Sequence, residues 1–382
     1  MRQFLFCLSG IALLLACCGK QPPVEKIVEG GVEVVLNHYE PYEVRGEPSH
    51  LSLREEIRID FENAKLSDLD LKEPSFVEAD SKGNIFVVEG APDSKYYVYK
   101  FNLEGLFINK LGYKGQGPGE IQWIWDLIID RDDRVLISDP AASKLLEFDT
   151  DGKFIKETII GHILREELPL LNGNYFARRR AMDSSEGNRW YLCLFNPDFK
   201  EIKKLDSFDM SASAPPKQNP GIMVAFHWKV AGDRIFIGNE QRGYDIWVYS
   251  LEGILLRKIR KEFKRVPYPE EFRQQTKKIA VREPALNLVP LNDMPPFNSF
   301  FSDDEGRLFV MTYEQGENPD EYIHDVFNKD GALIGRVPLG KYGIMGRALN
   351  HLRATAKNGR FYRLRLKENG YAEVIVSRME WH

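Results

Sequence analysis

The chain has 382 residues and a formal net charge of −5, from 52 basic and 57 acidic side chains. Its 43% hydrophobic and 29% charged content is that of a globular protein, which excludes collagen, a continuous coiled coil and disorder throughout. The balance of charge argues against nucleic acid as a partner. The 16 Tyr, 23 Phe and 6 Trp favour strands, because aromatic rings fit a pleated, half-buried surface.

Residues 1–16 are predicted to be a lipoprotein signal peptide. Arg2 precedes an apolar run from Phe4 to Leu15, which is shorter than the roughly 20 residues that span a bilayer. The run ends in Leu14-Leu15-Ala16-Cys17, which resembles the bacterial lipobox, in which the Cys is acylated. The resemblance implies lipidation at Cys17 and a membrane partner held through the lipid. An ordinary signal peptide cut after Ala16 is the alternative.

Residues 17–55 are predicted to be a tether and an N-terminal extension. Gly19 to Glu25 reads as a short flexible segment that contains two prolines. Surface-exported lipoproteins of some Gram-negative bacteria carry acidic residues directly after the Cys, whereas here Lys20 comes first and no acid occurs before Glu25. The expected location is therefore a membrane of the bacterial cell envelope, with the body of the protein facing the periplasm.

A short pattern of turn residues followed by an alternating apolar strand recurs along the rest of the chain. Asp80-Ser81-Lys82-Gly83-Asn84 is followed by Ile85-Phe86-Val87, and the same arrangement returns at Asp130 and Asp303. Weaker copies surround Gly173, Gly232 and Gly359. Six copies predict six structural units.

A second turn signal follows four of the copies. It has the form aromatic, polar, two further residues and Gly, and it occurs at Phe101–Gly105, Phe148–Gly152, Tyr249–Gly253 and Phe327–Gly331. Asn or Asp closes such turns with its side chain, and Gly accepts the positive φ. Two hairpins make four strands, so residues 56–382 predict an all-β, six-bladed β-propeller. An immunoglobulin-like array would need linkers between separate cores, and no linkers are evident.

Two further elements complete the predicted fold. A propeller closes when a strand from one terminus completes the blade at the other, and Glu56–Phe61 and Tyr371–Met379 both alternate as strands. Pro269–Ala280 has proline and acids early and bases late, which predicts a short helical insertion. The Pro-rich segment 283–296 that follows is expected to shape a binding face.

The segment Gly112-Tyr113-Lys114-Gly115-Gln116-Gly117-Pro118-Gly119-Glu120 resembles the connector of bacterial six-bladed β-propeller lipoproteins related to NHL repeats. Leu36–Tyr42 and Gly46–Pro48 resemble the segment that precedes the propeller in that family. The resemblance implies a propeller used for binding or protein contacts in the cell envelope, and it names no catalytic residue. On physical grounds, Glu120 is expected to accept hydrogen bonds from nearby backbone N–H groups.

No catalytic constellation is evident. The seven histidines occur singly, without a zinc pattern, and no Gly-x-Ser-x-Gly motif occurs. We therefore predict no catalytic residue, no metal ligand and no cofactor, with calcium at paired acids such as Asp132-Asp133 as the alternative.

A recognition surface is predicted from aromatic and polar residues near the starts of the first strands and on neighbouring loops. Flat rings suit sugars or extended peptides, and Arg suits carboxylates. Packing between blades is the alternative role for each Trp. The candidates are Trp123, Trp125, Asp126, Arg178, His227, Trp228, Arg242, Tyr244 and Asn298.

Residues 257–265 carry six cations in nine positions, and we expect them to form an exposed outer strand, with contact to a membrane surface as an option. The sequence as a whole predicts a non-catalytic module that binds an envelope protein, a peptide or a glycan. The alternative is a metal-dependent hydrolase, lactonase or lyase that acts at the central tunnel.

Overall fold

The structure is a computed structural model, and it describes residues 24–63, 66, 69, 71, 74–89, 97–160, 164–181, 185, 189–209, 226–282, 292–319, 321–340, 354–367 and 369–382. The predicted signal peptide and Cys17 lie outside these residues. Three strands precede the first full blade: β1 (Glu25–Glu29), β2 (Val32–Asn37) and β3 (Leu51–Asp60).

The described strands form six antiparallel four-stranded blades around a central tunnel. Blade 1 contains β4 (Pro74–Ala79), β5 (Ile85–Glu89), β6 (Tyr97–Phe101) and β7 (Phe107–Leu111). A two-stranded ladder of β8 (Tyr113–Lys114) and β9 (Glu120–Ile121) leads to the next blade. Blade 2 contains β10 (Asp126–Ile129), β11 (Val135–Asp139), β12 (Lys144–Phe148) and β13 (Phe154–Ile159). Blade 3 contains β14 (Leu164–Pro169), β15 (Tyr175–Arg180), β16 (Arg189–Phe195) and β17 (Glu201–Asp209).

The second half of the ring follows the same order. Blade 4 contains β18 (Phe226–Ala231), β19 (Arg234–Asn239), β20 (Asp245–Ser250) and β21 (Leu255–Lys261). Helix α1 (Glu270–Arg282) lies in the connection to blade 5, where the sequence predicts it. Blade 5 contains β22 (Ser299–Ser302), β23 (Leu308–Gln315), β24 (Glu321–Phe327) and β25 (Leu333–Gly340). Blade 6 contains β26 (Ala354–Lys357), β27 (Arg360–Leu366), β28 (Ala372–Trp381) and β3.

The two ends of the propeller differ in the length of their connections. In blades 1 to 5, tight turns join the first strand to the second and the third to the fourth, and in blade 6 a tight turn joins the first strand to the second. Because neighbouring strands are antiparallel, these turns lie at one end, which we call the turn end. We call the opposite end of the strands, from which the connection with α1 leaves blade 4, the loop end. The sequence repeat marks the turn end, because its turn residues are the ones that close these hairpins.

The repeated polar residue of each turn closes it through its side chain. Asp80 Oδ1 accepts hydrogen bonds from the N–H groups of Lys82 at 3.0 Å and Asn84 at 2.8 Å. The same acceptor pattern, to the second and fourth residues that follow, recurs at Asn102, Asp130, Asp149, Asn196, Ser250, Asp303 and Asn328. The connector behaves similarly, since Glu120 Oε2 accepts from Gly117 N–H at 2.8 Å, as predicted.

The Gly that ends the second turn signal has a packing role that its turn geometry alone does not indicate. Gly253 has φ +77°, and a Cβ placed there would lie 2.8 Å from the Leu205 side chain on the outer strand of blade 3. Gly105, Gly152 and Gly331 likewise face the outer strand of the preceding blade with a positive φ. Blades 1, 2, 4 and 5 therefore each press a backbone turn against the preceding blade, at a point where a side chain would not fit.

Apolar side chains fill the spaces between blades. The Phe301 ring of blade 5 lies 4.8 Å from Phe309 and 5.3 Å from Phe361 of blade 6, measured between centroids. Other clusters join blades 1 and 2 and blades 3 and 4 in the same way. Cys193 of blade 3 is fully buried, and burial raises the pKa of its thiol to about 12, so it packs as a small apolar group.

The ring closes by pairing the two ends of the propeller. β3 forms the outer strand of blade 6 and pairs antiparallel with the C-terminal strand β28, from Asp60 opposite Glu373 to Leu51 opposite Trp381. The alternation in the sequence predicts this pairing. Leu51 and Ile59 are buried, and the turn at Gly105 of blade 1 packs against Ile57 and Ile59. β3 thus links blade 6 to blade 1 as well as closing the ring.

The predicted N-terminal extension continues onto the propeller as additional structure. Strands β1 and β2 form a hairpin, and β2 pairs in parallel with β21, so blade 4 has six strands. The Asn37 side chain then bonds Gly331 and Leu333 of blade 5, and the N–H groups of Ser49 and His50 donate to His382 at the end of blade 6. We call residues 24–50 the N-terminal strap, because they connect three blades.

The strap corrects the interpretation of residues 257–265 as an exposed outer strand. Arg260 donates to the Glu29 carboxylate at 2.8 and 3.1 Å, and Arg257 Nε donates to Glu33 at 2.5 Å. The hydrogen bond from Arg260 lowers the pKa of Glu29 to about 2. Arg257, Lys258 and Arg260 of β21 are therefore paired with acids more than 220 positions earlier in the chain, which the local sequence does not reveal.

A buried network of charges joins blades 4 and 5 beneath the strap. Asp325 is fully buried and accepts hydrogen bonds from Tyr244 Oη at 2.8 Å and Arg336 Nε at 2.9 Å. Lys261 Nζ lies 3.4 Å from the same carboxylate. Burial lowers the pKa of Lys261 and raises that of Tyr244 well above its ordinary value. The carboxylate of Asp325 thus pairs with two cations, of which Lys261 is fully buried.

The strap contributes an aromatic ring to this network. Tyr39 donates a hydrogen bond to Glu314, which also accepts from Arg336 at 2.5 Å. The guanidinium of Arg336 lies 4.2 Å from the centre of the Tyr39 ring, and Lys261 Nζ lies 5.0 Å from it. Such cation–π contacts are strongest where water is excluded.

Candidate functional site

A cavity of about 1160 Å³ occupies the turn end of the tunnel. Its walls are the first strands of the blades, and its rim is formed by turns of the sequence repeat, among them Asp130–Arg134 and Asp303–Gly306. A volume of several hundred Å³ or more is typical of small-molecule sites. This cavity is the candidate functional site.

Apart from the charged residues of the rim turns, four charged side chains on the first strands of four different blades line the cavity: Glu78 of β4, Asp126 of β10, Lys229 of β18 and Lys357 of β26. Glu78 is buried, whereas both lysines are half-buried. Burial raises the pKa of the Glu78 carboxyl, although the charges of Lys229 and Lys357 and a hydrogen bond with Thr355 act to lower it. The lysines are thus close enough to Glu78 to affect its ionisation.

Neither Lys229 nor Lys357 forms a close ion pair with a described carboxylate. Within the described part of the chain, no carboxylate oxygen lies within 4.0 Å of either ammonium group. The single carboxyl group of Glu78 can balance at most one of their two positive charges. Two cations therefore face a cavity that can accept an anionic group between them.

Hydrogen bonds between neighbouring turns fix part of the rim. Ser81 donates through its N–H and its hydroxyl to Asp133, at 2.8 and 2.5 Å, which joins blades 1 and 2. Although burial acts to raise the pKa of Asp133, these bonds hold it below its ordinary value. Asn358 of blade 6 donates to Asp304 of blade 5 and to the carbonyl of Asp80 of blade 1. Four blades are thus connected at the mouth of the cavity.

Two of the nine residues predicted for the recognition surface, Asp126 and Trp228, line this cavity. Asp126 begins β10 and is half-buried. The Trp228 ring lies 5.6 Å from the guanidinium of Arg178, which also stacks at 4.6 Å on Trp190. Arg178 and Trp228 therefore join blades 3 and 4, and Trp228 also presents part of its surface to the tunnel.

His227 and Asn298 lie near the starts of first strands, at the loop end. His227 is buried, and its Nε2 is 2.8 Å from Glu240 Oε1, while its Nδ1 has no hydrogen-bond partner among the described residues. The Asn298 side chain bonds Tyr313, whose pKa is raised by burial. These polar groups belong to the loop end of the tunnel and do not line the cavity described above.

Trp123 and Trp125 stack edge to face, with centroids 5.1 Å apart, in the connection that precedes β10. Trp123 is exposed, as a recognition surface would require, and Trp125 is half-buried. The structure thus places these rings at the loop end of blade 2, apart from His227.

Arg242 and Tyr244 do not form an open surface as the sequence suggests. Arg242 donates to Asp206 at 2.5 Å and stacks on Trp247 at 4.0 Å, so it holds blade 4 against blade 3. Tyr244 is 3% exposed and belongs to the network around Asp325. Both residues lie between β19 and β20, but their hydrogen-bond partners, Asp206 and Asp325, belong to blades 3 and 5.

Sequence reasoning missed Glu78, Lys229 and Lys357, although a signal was present. Each is a charged residue in the strand directly before a copy of the turn repeat. In a propeller that strand faces the tunnel, so a charge there is a candidate for function.

Nothing in the described residues indicates a metal centre: no group of three or more His, Cys, Asp or Glu is placed to hold an ion. Among the helices that the structure describes, none has the length and apolar character needed to cross a membrane.

Comparison with known proteins agrees with the fold. Residues 66–215 match the model of the DUF5128 family, a 6-bladed beta-propeller. No curated protein sequence matches the chain. A protein of Bacteroides fragilis that is thought to be exported superposes with a TM-score of 0.56 at 14% identity, over 91% of this chain and 99% of its own.

Two further solved structures are similar. A DUF4221 family member from Bacteroides vulgatus gives a TM-score of 0.52 at 11% identity, over 88% of this chain and 100% of its own. A gluconolactonase from Xanthomonas campestris gives 0.42 at 11% identity, over 86% of this chain and 96% of its own, which is too low to bear on function. The resemblance to bacterial six-bladed propellers is confirmed, and these likenesses concern the fold alone.

Proposed function

We propose that the protein is a lipid-anchored, non-catalytic binding module of the bacterial cell envelope, and that the cavity at the turn end holds a small anionic ligand. The observation that carries this proposal is the pair of lysines, Lys229 and Lys357, which face the cavity from different blades without a close carboxylate partner among the described residues.

The surroundings favour a carboxylate or phosphate group on a larger polar molecule. A compact ammonium group binds such anions as a point charge. Trp228 offers part of a flat ring to the same cavity, which suits the apolar face of a sugar. The volume of about 1160 Å³ exceeds what a single inorganic anion needs. An acidic sugar or a related organic anion is the ligand class that fits these features.

Titration of the purified lipoprotein with galacturonate, citrate and inorganic phosphate tests this proposal, with neutral galactose as the reference ligand. We expect at least one of the anions to bind, and galactose to bind more weakly. Replacing Lys229 and Lys357 together by Met should weaken anion binding at least about tenfold, because charge-assisted hydrogen bonds are lost.

Lys329→Met is the matched control, since Lys329 is an exposed lysine on the rim of the same cavity. It should weaken binding less than about threefold, because an exposed charge contributes little. Failure of all three anions to bind, or binding that the double variant leaves unchanged, would show that the cavity is not an anion site.

A further inference from the structure

The place where the chain joins the propeller determines which side of it can approach a membrane. β1 begins at Glu25, and the register from β1 through β2 to β21 places Glu25 beside Arg260 and Lys261, two strands away. Because neighbouring strands are about 4.8 Å apart, the separation is about 10 Å. The last residues of β21, and with them the first residue of β1, lie at the loop end of blade 4.

Acylation at Cys17, which is part of the proposed function, would keep this region near the bilayer. Glu25 is eight positions after Cys17, and a fully extended chain over that interval reaches at most about 27 Å. A rigid propeller held by so short a segment cannot turn every side toward the lipid. The loop end of blade 4 is the part that such a tether brings closest.

The connection that leaves β21 at that end carries exposed basic and apolar side chains. They belong to residues 263–265 and to the last turns of α1, and we call them together the basic loop-end surface. Phe263, Lys264 and Arg265 are exposed directly after β21. Lys277, Lys278 and Arg282 are exposed on α1, and Val281 is 82% exposed.

Unlike the cations of β21, the basic side chains of this surface have few acidic partners among the described residues. Arg265 is 3.6 Å from Asp293, and no described acidic residue pairs with Lys264, Lys277, Lys278 or Arg282. Residues 263–282 contain six basic and two acidic residues in a chain whose net charge is −5. Basic side chains beside exposed apolar ones are the combination that binds anionic phospholipid headgroups.

We propose that the basic loop-end surface rests on the anionic phospholipid surface of the membrane that holds the lipid anchor. The cavity then faces away from the bilayer, since the turns that form its rim lie at the opposite end of the propeller. This arrangement would leave the candidate ligand site accessible from the aqueous compartment while the protein remains attached.

The test uses the full lipidated protein in vesicles of phosphatidylethanolamine and phosphatidylglycerol, with an environment-sensitive dye attached at Val281→Cys. The matched control is Leu106→Cys, which is 64% exposed at the turn end of blade 1. A Cys18→Ser background limits labelling elsewhere, and Cys193 is buried. Brominated lipid should quench the dye at position 281 and leave the dye at position 106 unaffected.

Reversal of Lys264, Arg265, Lys277 and Lys278 to Glu should reduce the quenching at position 281 roughly twofold or more, because anionic lipid then repels the surface. The protein should stay on the vesicles through its lipid. Equal, water-like emission at both positions on attached protein would overturn the orientation proposed here. Protein that does not attach to vesicles at all would instead overturn the lipid anchor, so the two failures are distinguishable.

Discussion

Replacing β3, residues Leu51–Asp60, by a Gly-Ser segment of equal length is expected to lower the melting temperature by at least about 10 °C. The change removes the buried side chains of Leu51 and Ile59 and weakens the ladder that joins β3 to β28. It also removes the apolar side chains against which the Gly105 turn of blade 1 packs. Differential scanning calorimetry of the purified protein measures the effect.

The control is the same replacement of β1, Glu25–Glu29. β1 is also an outermost strand, but it is mostly exposed and its loss leaves the ring closed. We expect a decrease of only a few degrees. If the β3 variant melts within a few degrees of the unmodified protein, closure by this strand does not stabilise the propeller.

Asp325→Ala is expected to lower the free energy of unfolding by about 3–5 kcal/mol, because it leaves the buried ammonium group of Lys261 without its carboxylate and removes one of the two carboxylates that bind Arg336. The Tyr244 hydroxyl loses its acceptor as well. Chemical denaturation followed by tryptophan fluorescence measures the change.

Asp330→Ala is the matched control for the Asp325 substitution. Asp330 lies in the turn that follows the third strand of blade 5, and its side chain is 59% exposed. Its carboxylate lies 3.7 Å from the guanidinium group of Arg257. Such surface pairs contribute at most about 1 kcal/mol. Equal effects of the two substitutions would mean that the buried network contributes no more than a surface ion pair.

The repeating part of the fold was predictable because it is encoded locally. Asp80 and its counterparts close their turns with bonds to residues two and four positions later, so a window of five residues contains the whole signal. The terminal strands could be paired because each alternates and a ring must close. These features required no knowledge of distant partners.

The strap was not predictable, because its contacts span the chain. Asn37 bonds residues nearly 300 positions away, and the acid that neutralises Arg260 lies 231 positions earlier. A run of bases such as residues 257–265 reads as exposed unless its partners are known. Tyr244 appears accessible in the sequence for the same reason, since its acceptor Asp325 belongs to the next blade.

The candidate site was predictable only in part. Asp126 and Trp228 were recognised because aromatic and acidic residues near strand starts are conspicuous, and both line the cavity. Lys229 and Lys357 are single lysines in short strands, so no motif marks them. Their significance depends on the ring, which brings β18 and β26 to the same tunnel.

Anomalous diffraction from crystals soaked in sodium bromide tests the proposed anion site most directly. The bromide ion reports where the protein holds negative charge, without any assumption about the natural ligand. We predict an anomalous peak inside the tunnel, between Lys229 and Lys357, that is absent from crystals of the variant in which both lysines are replaced by Met. Peaks confined to the outer surface, with none in the tunnel, would contradict the assignment of the cavity as an anion-binding site.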